Sequence, residues 1–215
     1  RAKSIRRALG GTLNDVALAV VAGGVRTYLA DRDALPDRPL LASVPVSSEP
    51  PDAPVRQAGN RFWSFTTSLA TDVADPVERL AAISAVAREA RGQLDLLGAD
   101  LMPAWLDLVP PAVAAPGADA LFRRVTEQSE HADANVLVSN IRGPAEPWPW
   151  HGSIVEELWI DGPPSNGVGA NVMLWSYGDR LLFGILCFAD AVTDPPALAA
   201  ACEAAFAELR AAVSG

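Results

Sequence analysis

The chain is short of cysteine, histidine and long apolar runs, and each shortage removes a class of protein. Cys187 and Cys202 are the only cysteines in 215 residues and form no C-x-x-C pair, which excludes a disulfide scaffold. Both lie in apolar periodic segments, the usual setting of buried reduced thiols in a cytosolic protein. The two histidines, His131 and His151, stand in loop contexts with no carboxylate or cysteine at ligand spacing. Neither metal clusters nor a Ser-His-Asp arrangement can be read, and no phosphate loop, repeat or low-complexity tract is present. The longest nearly apolar run, Val16 to Val25, is about half of the ~20 residues that a membrane span needs, and no signal-peptide pattern opens the chain. A soluble, cytoplasmic protein is expected, with peripheral contact to a membrane or lipid droplet left open. Basic residues are also outnumbered, 17 against 26 acidic, and the net charge of -9 repels phosphate backbones. Nucleic acid is not an expected partner.

Half of the residues are apolar, enough for one sizeable core. Residues 1–11 carry Arg1, Lys3, Arg6 and Arg7 and are expected to be a linker from a preceding half. Those charges fit either a solvated hinge or a contact to a phosphorylated cofactor or membrane surface. The domain proper spans 12–215. Thr12 and Asp15 have capping-box spacing and start a helix to about Ala30 that is apolar nearly all round, so it belongs at the centre. Asn14 and Asp15 then fall on the first turn of a buried helix, where they either cap it or face an anion or a developing negative charge.

Leu40 to Val46 reads as a strand, Ser47 to Gln57 as a proline-rich loop, and Arg61 to Leu69 as a second strand. Asp75-Pro76 opens a helix with the stripe Leu80, Ile83, Ala87, Ala90, Leu94 and Leu97, and two shorter helices are expected at Leu101–Val113 and Ala118–Gln128. Val136 to Ile141 is a buried strand ending in the polar pair Ser139-Asn140 before a Gly143-Pro144 turn. A polar pair at the mouth of an apolar strand needs a partner, and a cleft floor supplies one. Trp148 and Trp150 flank a proline and read as a lid over the sheet edge, a seat for an acyl chain or an interface. Ser153 to Ile160 is an expected strand, and 161–169 a loop. Asn171–Tyr177 and Leu181–Phe188 form a hairpin whose second arm, apolar on both faces, reads as an interior strand. Asp194-Pro195 caps the last helix. The expected fold is an α/β two-layer sandwich, a mixed β-sheet covered by helices, with a polar cleft.

A resemblance extends this reading. Thr12-Leu13-Asn14-Asp15-Val16 at a helix start, Gly59-Asn60 before a strand, Ser139 to Pro144, and Gly169 to Gly184 with Ser176-Tyr177 and Leu182-Phe183-Gly184 follow in a specific order. Together they resemble the C-terminal half of the bacterial wax ester synthase/diacylglycerol acyltransferase family over nearly the whole chain. Where that family commonly has N-V-P-G-P, this chain has Asn140-Ile141-Arg142-Gly143-Pro144, which puts a charge at the turn and bears on substrate choice.

The resemblance implies the two-domain fold shared with chloramphenicol acetyltransferase and peptide-synthetase condensation domains, with a tunnel between two similar halves. The family's catalytic H-H-x-x-x-D-G motif belongs to the N-terminal half, and neither His131 nor His151 matches it. The implied reaction passes a fatty acyl group from acyl-CoA to diacylglycerol or a long-chain alcohol, with acyl-CoA as substrate and no cofactor. The implied partner is the N-terminal half of the same enzyme. No catalytic residue and no metal ligand is expected here. The expected tunnel-lining residues are Asn14, Asp15, Ser139, Asn140 and Gly143, with Asn171 and Ser176 as weaker candidates. Alternatives are a condensation-type or polyketide-associated acyltransferase domain and a non-catalytic lipid-binding scaffold.

Overall fold

The computed structural model describes residues 2–47, 62–97, 134–164, 167–178 and 180–213, with five isolated positions between 110 and 120. The expected loop up to Gln57, the Gly59-Asn60 step and His131 lie outside the described residues. So do the two expected helices between 101 and 128, apart from those isolated positions.

Helix α2 (Leu13–Ala30) begins as its sequence dictates. The Thr12 backbone N–H donates to Asp15 Oδ2 at 2.7 Å, and the Asp15 N–H donates to Thr12 Oγ1 at 3.2 Å. Every residue from Asp15 to Val25 is buried, so this helix is the axis of the core. Each large aliphatic side chain buried there contributes roughly 1.5–3 kcal/mol. Helix α3 (Pro76–Leu97) is capped by Asp75, whose Oδ1 accepts from the Val77 and Glu78 N–H groups. Helix α4 (Pro195–Ala212) is capped by Asp194 and lays Leu198, Cys202 and Leu209 against α2.

Part of the segment expected as a linker is helical. Residues Ala2–Leu9 form helix α1, and Ile5 is wholly buried in the same core as α2. Two glycines at φ +80° turn the chain from α1 into α2.

A five-stranded mixed sheet runs in the order β2–β1–β3–β6–β7, with β1 Leu41–Ser47, β2 Phe62–Ser68, β3 Val136–Ile141, β6 Ala170–Tyr177 and β7 Arg180–Cys187. A separate hairpin joins β4 (Pro149–Trp150) to β5 (Ser153–Ile154). Helices cover one sheet face, where Ala42, Val44, Val136, Val138, Val172 and Leu174 enter the core. This is the expected two-layer α/β sandwich.

Two strand expectations are corrected. Only Ser153–Ile154 of the 153–160 segment is strand. The rest is a strap that seats Val155, Leu158 and Ile160 on Trp175, Tyr177 and Leu182. Its far end is pinned by Asn171 Nδ2, which donates to the carbonyls of Gly162 at 2.8 Å and Pro163 at 3.1 Å. Among the described residues β7, expected inside the sheet, is an edge strand. It is apolar on both faces because Phe183 and Ile185 meet the helical core while Leu182 meets the strap.

Candidate functional site

The strands diverge where the polar pair stands. β1 and β3 are parallel and pair only at Ala42–Val136 and Ser43–Leu137. Pro45, two residues further along β1, has no N–H to extend that ladder. β1 stays with antiparallel β2 as far as Ser47, while β3 from Val138 onward pairs only with β6. A fork therefore opens between the carboxyl ends of two parallel strands, the place where open α/β sheets hold ligands.

Ser139 and Asn140 stand at this fork on opposite faces. Asn140 follows Val136 and Val138 toward the helices, and Ser139, itself buried, points to the other face. Asn171 shares the face of Ser139 and Ser176 shares that of Asn140, as the register of β3 on β6 requires. Ser176 Oγ accepts from the Gly143 N–H at 2.9 Å and anchors the turn. A Cβ at Gly143 would run into the Ser176 carbonyl and the Trp175 indole, so only glycine lets the turn close. Asn171 holds the strap with Nδ2, while its Oδ1 is buried without a partner.

The start of α2 lies at the same end of the molecule. The Arg26 guanidinium donates to the Thr71 carbonyl and the Leu40 N–H to Thr71 Oγ1, so the end of α2, the start of β1 and the approach to α3 meet at one end. Asp15, Ser84 and Arg88 line a common cavity between the start of α2 and α3. Asn14 is half-buried there with Nδ2 closed off and unpartnered, and the 4 % exposed Asp15 leaves Oδ1 without a partner. Among the described residues no hydrogen bond links Asn14 or Asp15 to Ser139 or Asn140.

Two features escaped the sequence reading. A cavity of about 330 Å³ lies between the Gly11–Asp15 turn and α3, lined on the α3 side by Ser84, Arg88 and Arg91. Their i, i+4, i+7 spacing was the available signal. Tyr177 is the other: its buried hydroxyl accepts from the Trp148 N–H at 2.9 Å and donates to the Val155 carbonyl at 2.8 Å. Trp148 meets its ring edge-on, with centroids 6.3 Å apart. Trp150 and Ile154 of the hairpin are each 66 % exposed. His151 sits at the exposed tip with φ +46° and meets the Trp150 ring edge-on, with centroids 5.1 Å apart. No cluster of His, Cys, Asp and Glu suited to a metal occurs among the described residues.

The WS/DGAT C-terminal domain model matches residues 58–210. The chain belongs to that family. It is 37% identical over 97% of its length to a Mycobacterium tuberculosis protein provisionally named a diacylglycerol O-acyltransferase. It is 29% identical over 89% of its length to the O-acyltransferase WSD of Acinetobacter baylyi. It spans 43% and 40% of those two relatives. Among solved structures, the wax ester synthase/diacylglycerol acyltransferase of Marinobacter aquaeolei superposes with a TM-score of 0.73 at 27% identity, covering 100% of this chain and 47% of that one. Membership in the WS/DGAT family accounts for the mixed sheet with helices on one face. No helix among the described residues is long and apolar enough to cross a membrane.

Proposed function

We propose that the chain is the C-terminal half of an O-acyltransferase that moves a fatty acyl group from acyl-CoA to diacylglycerol or a long-chain alcohol. The observation that carries this reading is the match of residues 58–210 to the WS/DGAT C-terminal domain, in a chain spanning less than half of its named relatives. The fork between β1 and β3 then forms one wall of the substrate tunnel. The general-base histidine comes from the N-terminal half and takes the acceptor hydroxyl proton as that oxygen attacks the thioester carbon, which moves negative charge onto the carbonyl oxygen; collapse of this intermediate breaks the C–S bond and expels CoA, whose sulfur takes the proton back from the histidine. Donors in a dry cleft stabilise that charge, and Asn14, whose Nδ2 has no partner within the chain, is a candidate donor.

The N-terminal half also covers apolar surface. Trp150, Ile154 and Trp159 are more than half exposed on the hairpin and strap, a concentration that a partner relieves. Peripheral contact with membranes or lipid droplets is the further expectation for an enzyme with such substrates.

CoA release from a long-chain acyl-CoA plus diacylglycerol tests the reading. It is measured on this chain alone and joined to the preceding half. Release only from the joined protein supports it. Equal release by the chain alone overturns the placement of the base, and His131 and His151 become the candidates. No release by either removes the acyltransferase reading.

A further inference from the structure

Among the described residues, strand β7 ends the sheet with its outer edge open. The tight turn after Tyr177 closes on Arg180, and at the far end the Phe188 N–H donates to the Gly169 carbonyl at 3.2 Å. Both ends give the ladder the same alternation. Leu182, Gly184 and Leu186 turn their backbone groups to β6, while Leu181, Phe183, Ile185 and Cys187 turn theirs away from the sheet. No hydrogen bond among the described residues reaches those outward groups.

Edge strands are ordinarily blunted by lysine, proline, a bulge or a covering element. β7 has no lysine or proline, and its register on β6 runs unbroken from Ala170–Cys187 to Tyr177–Arg180. Its one charge, Arg180, stands at its first residue and is tied to Glu157. Leu186 and Phe188 are 45 % and 41 % exposed. The opposite edge differs, since β2 exposes the hydroxyl residues Ser64 and Thr66. A row of unmet N–H and C=O groups on an apolar strand fits another extended backbone.

We infer that β7 pairs with β7 of a second copy of this chain, antiparallel across a twofold axis, so that the two sheets become one. Such a pair is self-complementary, because the outward residues of one strand meet those of the other in reverse order. Charge selects the register. With Ile185 opposite Ile185 of the second copy, Arg180 stands opposite Asp190, which is exposed and has no ion-pair partner among the described residues. In that register Phe183 and Cys187 of the two copies exchange backbone hydrogen bonds, and the exposed Phe188 lies beside Leu182. The fork between β1 and β3 is away from this edge and stays open to the preceding half.

Sedimentation equilibrium and amide exchange on the intact protein test the pairing. A dimer with a dissociation constant of roughly micromolar order is expected. On dilution the Phe183, Ile185 and Cys187 amides lose protection, while those of Leu182, Gly184 and Leu186, bonded within the sheet, keep theirs. Leu186→Lys puts a charge on an exposed edge position, and Cys187→Pro removes an outward donor without touching the β6 ladder. Each is expected to weaken the dimer about tenfold or more, and the lysine variant carries the test alone if the proline variant does not fold. A protein that stays monomeric, or a dimer indifferent to these substitutions, overturns the proposal. Outward amides whose protection does not change with dilution give the edge to the preceding half and overturn it as well.

Discussion

The Tyr177 hydroxyl donates to the Val155 carbonyl at 2.8 Å and so ties the last residue of β6 to the start of the strap. The same oxygen accepts from the Trp148 N–H, and one buried side chain therefore holds both flanks of the exposed hairpin. Tyr177→Phe keeps the ring and leaves two backbone groups unmet, which costs about 1–3 kcal/mol. A lowered urea midpoint and faster amide exchange at Trp148 and near Val155 are expected. Unchanged exchange there would mean that packing on Trp175 and Leu182, with the Asn171 hydrogen bonds, holds the strap.

Gly143 is the next point of sensitivity. Its N–H donates to Ser176 Oγ, and a methyl group at its Cα would meet the backbone of β6. Backbone cannot yield as the end of a flexible side chain can. Gly143→Ala is expected to destabilise by about 2 kcal/mol or more, while Ser176→Ala, which loses one hydrogen bond, costs about 1 kcal/mol. Paired thermal melts check the order, and an alanine at 143 that melts with the native chain would sink the close-approach argument.

The contrast between these sites and α2 explains what the sequence reveals. The Thr12–Asp15 capping box is a local pattern, and the structure closes both of its hydrogen bonds. The all-round burial of α2 follows from apolar residues on every side of one helix. β7 misleads because an edge strand covered by a core on one face and a strap on the other carries the same composition as an interior strand. The strap misleads because Val155, Leu158 and Ile160 are apolar for packing on Trp175 and Tyr177, not for pairing. In α1, the basic residues mask one buried anchor, Ile5. The fork and the arginine-lined cavity join segments distant in sequence, and the spacing of Ser84, Arg88 and Arg91 marks one wall of the cavity without showing what it faces.

Cys202 gives the fold a pH dependence. Burial, and then the Glu203 charge, push its thiol up to about 12, against about 8.5 in an unfolded chain. Between those values the unfolded chain has released the proton and the folded one retains it. The contribution is therefore whole below about pH 8.5 and falls by up to about 1.4 kcal/mol per pH unit as pH rises toward 12. Burial raises the Cys187 thiol as well, so it acts in the same direction. Urea midpoints at about pH 8 and about pH 10 measure the effect. Cys202→Ala is expected to shrink the loss between them, and an equal loss in the variant would assign the slope to other groups.

Asn14 separates activity from stability. Its Nδ2 is buried at the start of α2 without an acceptor, an arrangement that works against folding unless something else gains from it. Removing an unmet donor leaves the fold as stable as before, or more so. If the donor serves the oxyanion of acyl transfer, the same removal lowers turnover by on the order of 10²-fold, the usual size of one lost oxyanion donor. Asn14→Ala in the intact protein is therefore expected to melt at or above the native temperature while CoA release collapses. Asn140→Ala, at the fork, is expected to act in the same direction on turnover. Full activity in both variants would remove these side chains from the reaction and leave the fork as a wall only. A parallel fall in melting temperature and rate would instead mark Asn14 as part of the α2 cap, since a donor without a partner has no folding contribution to lose.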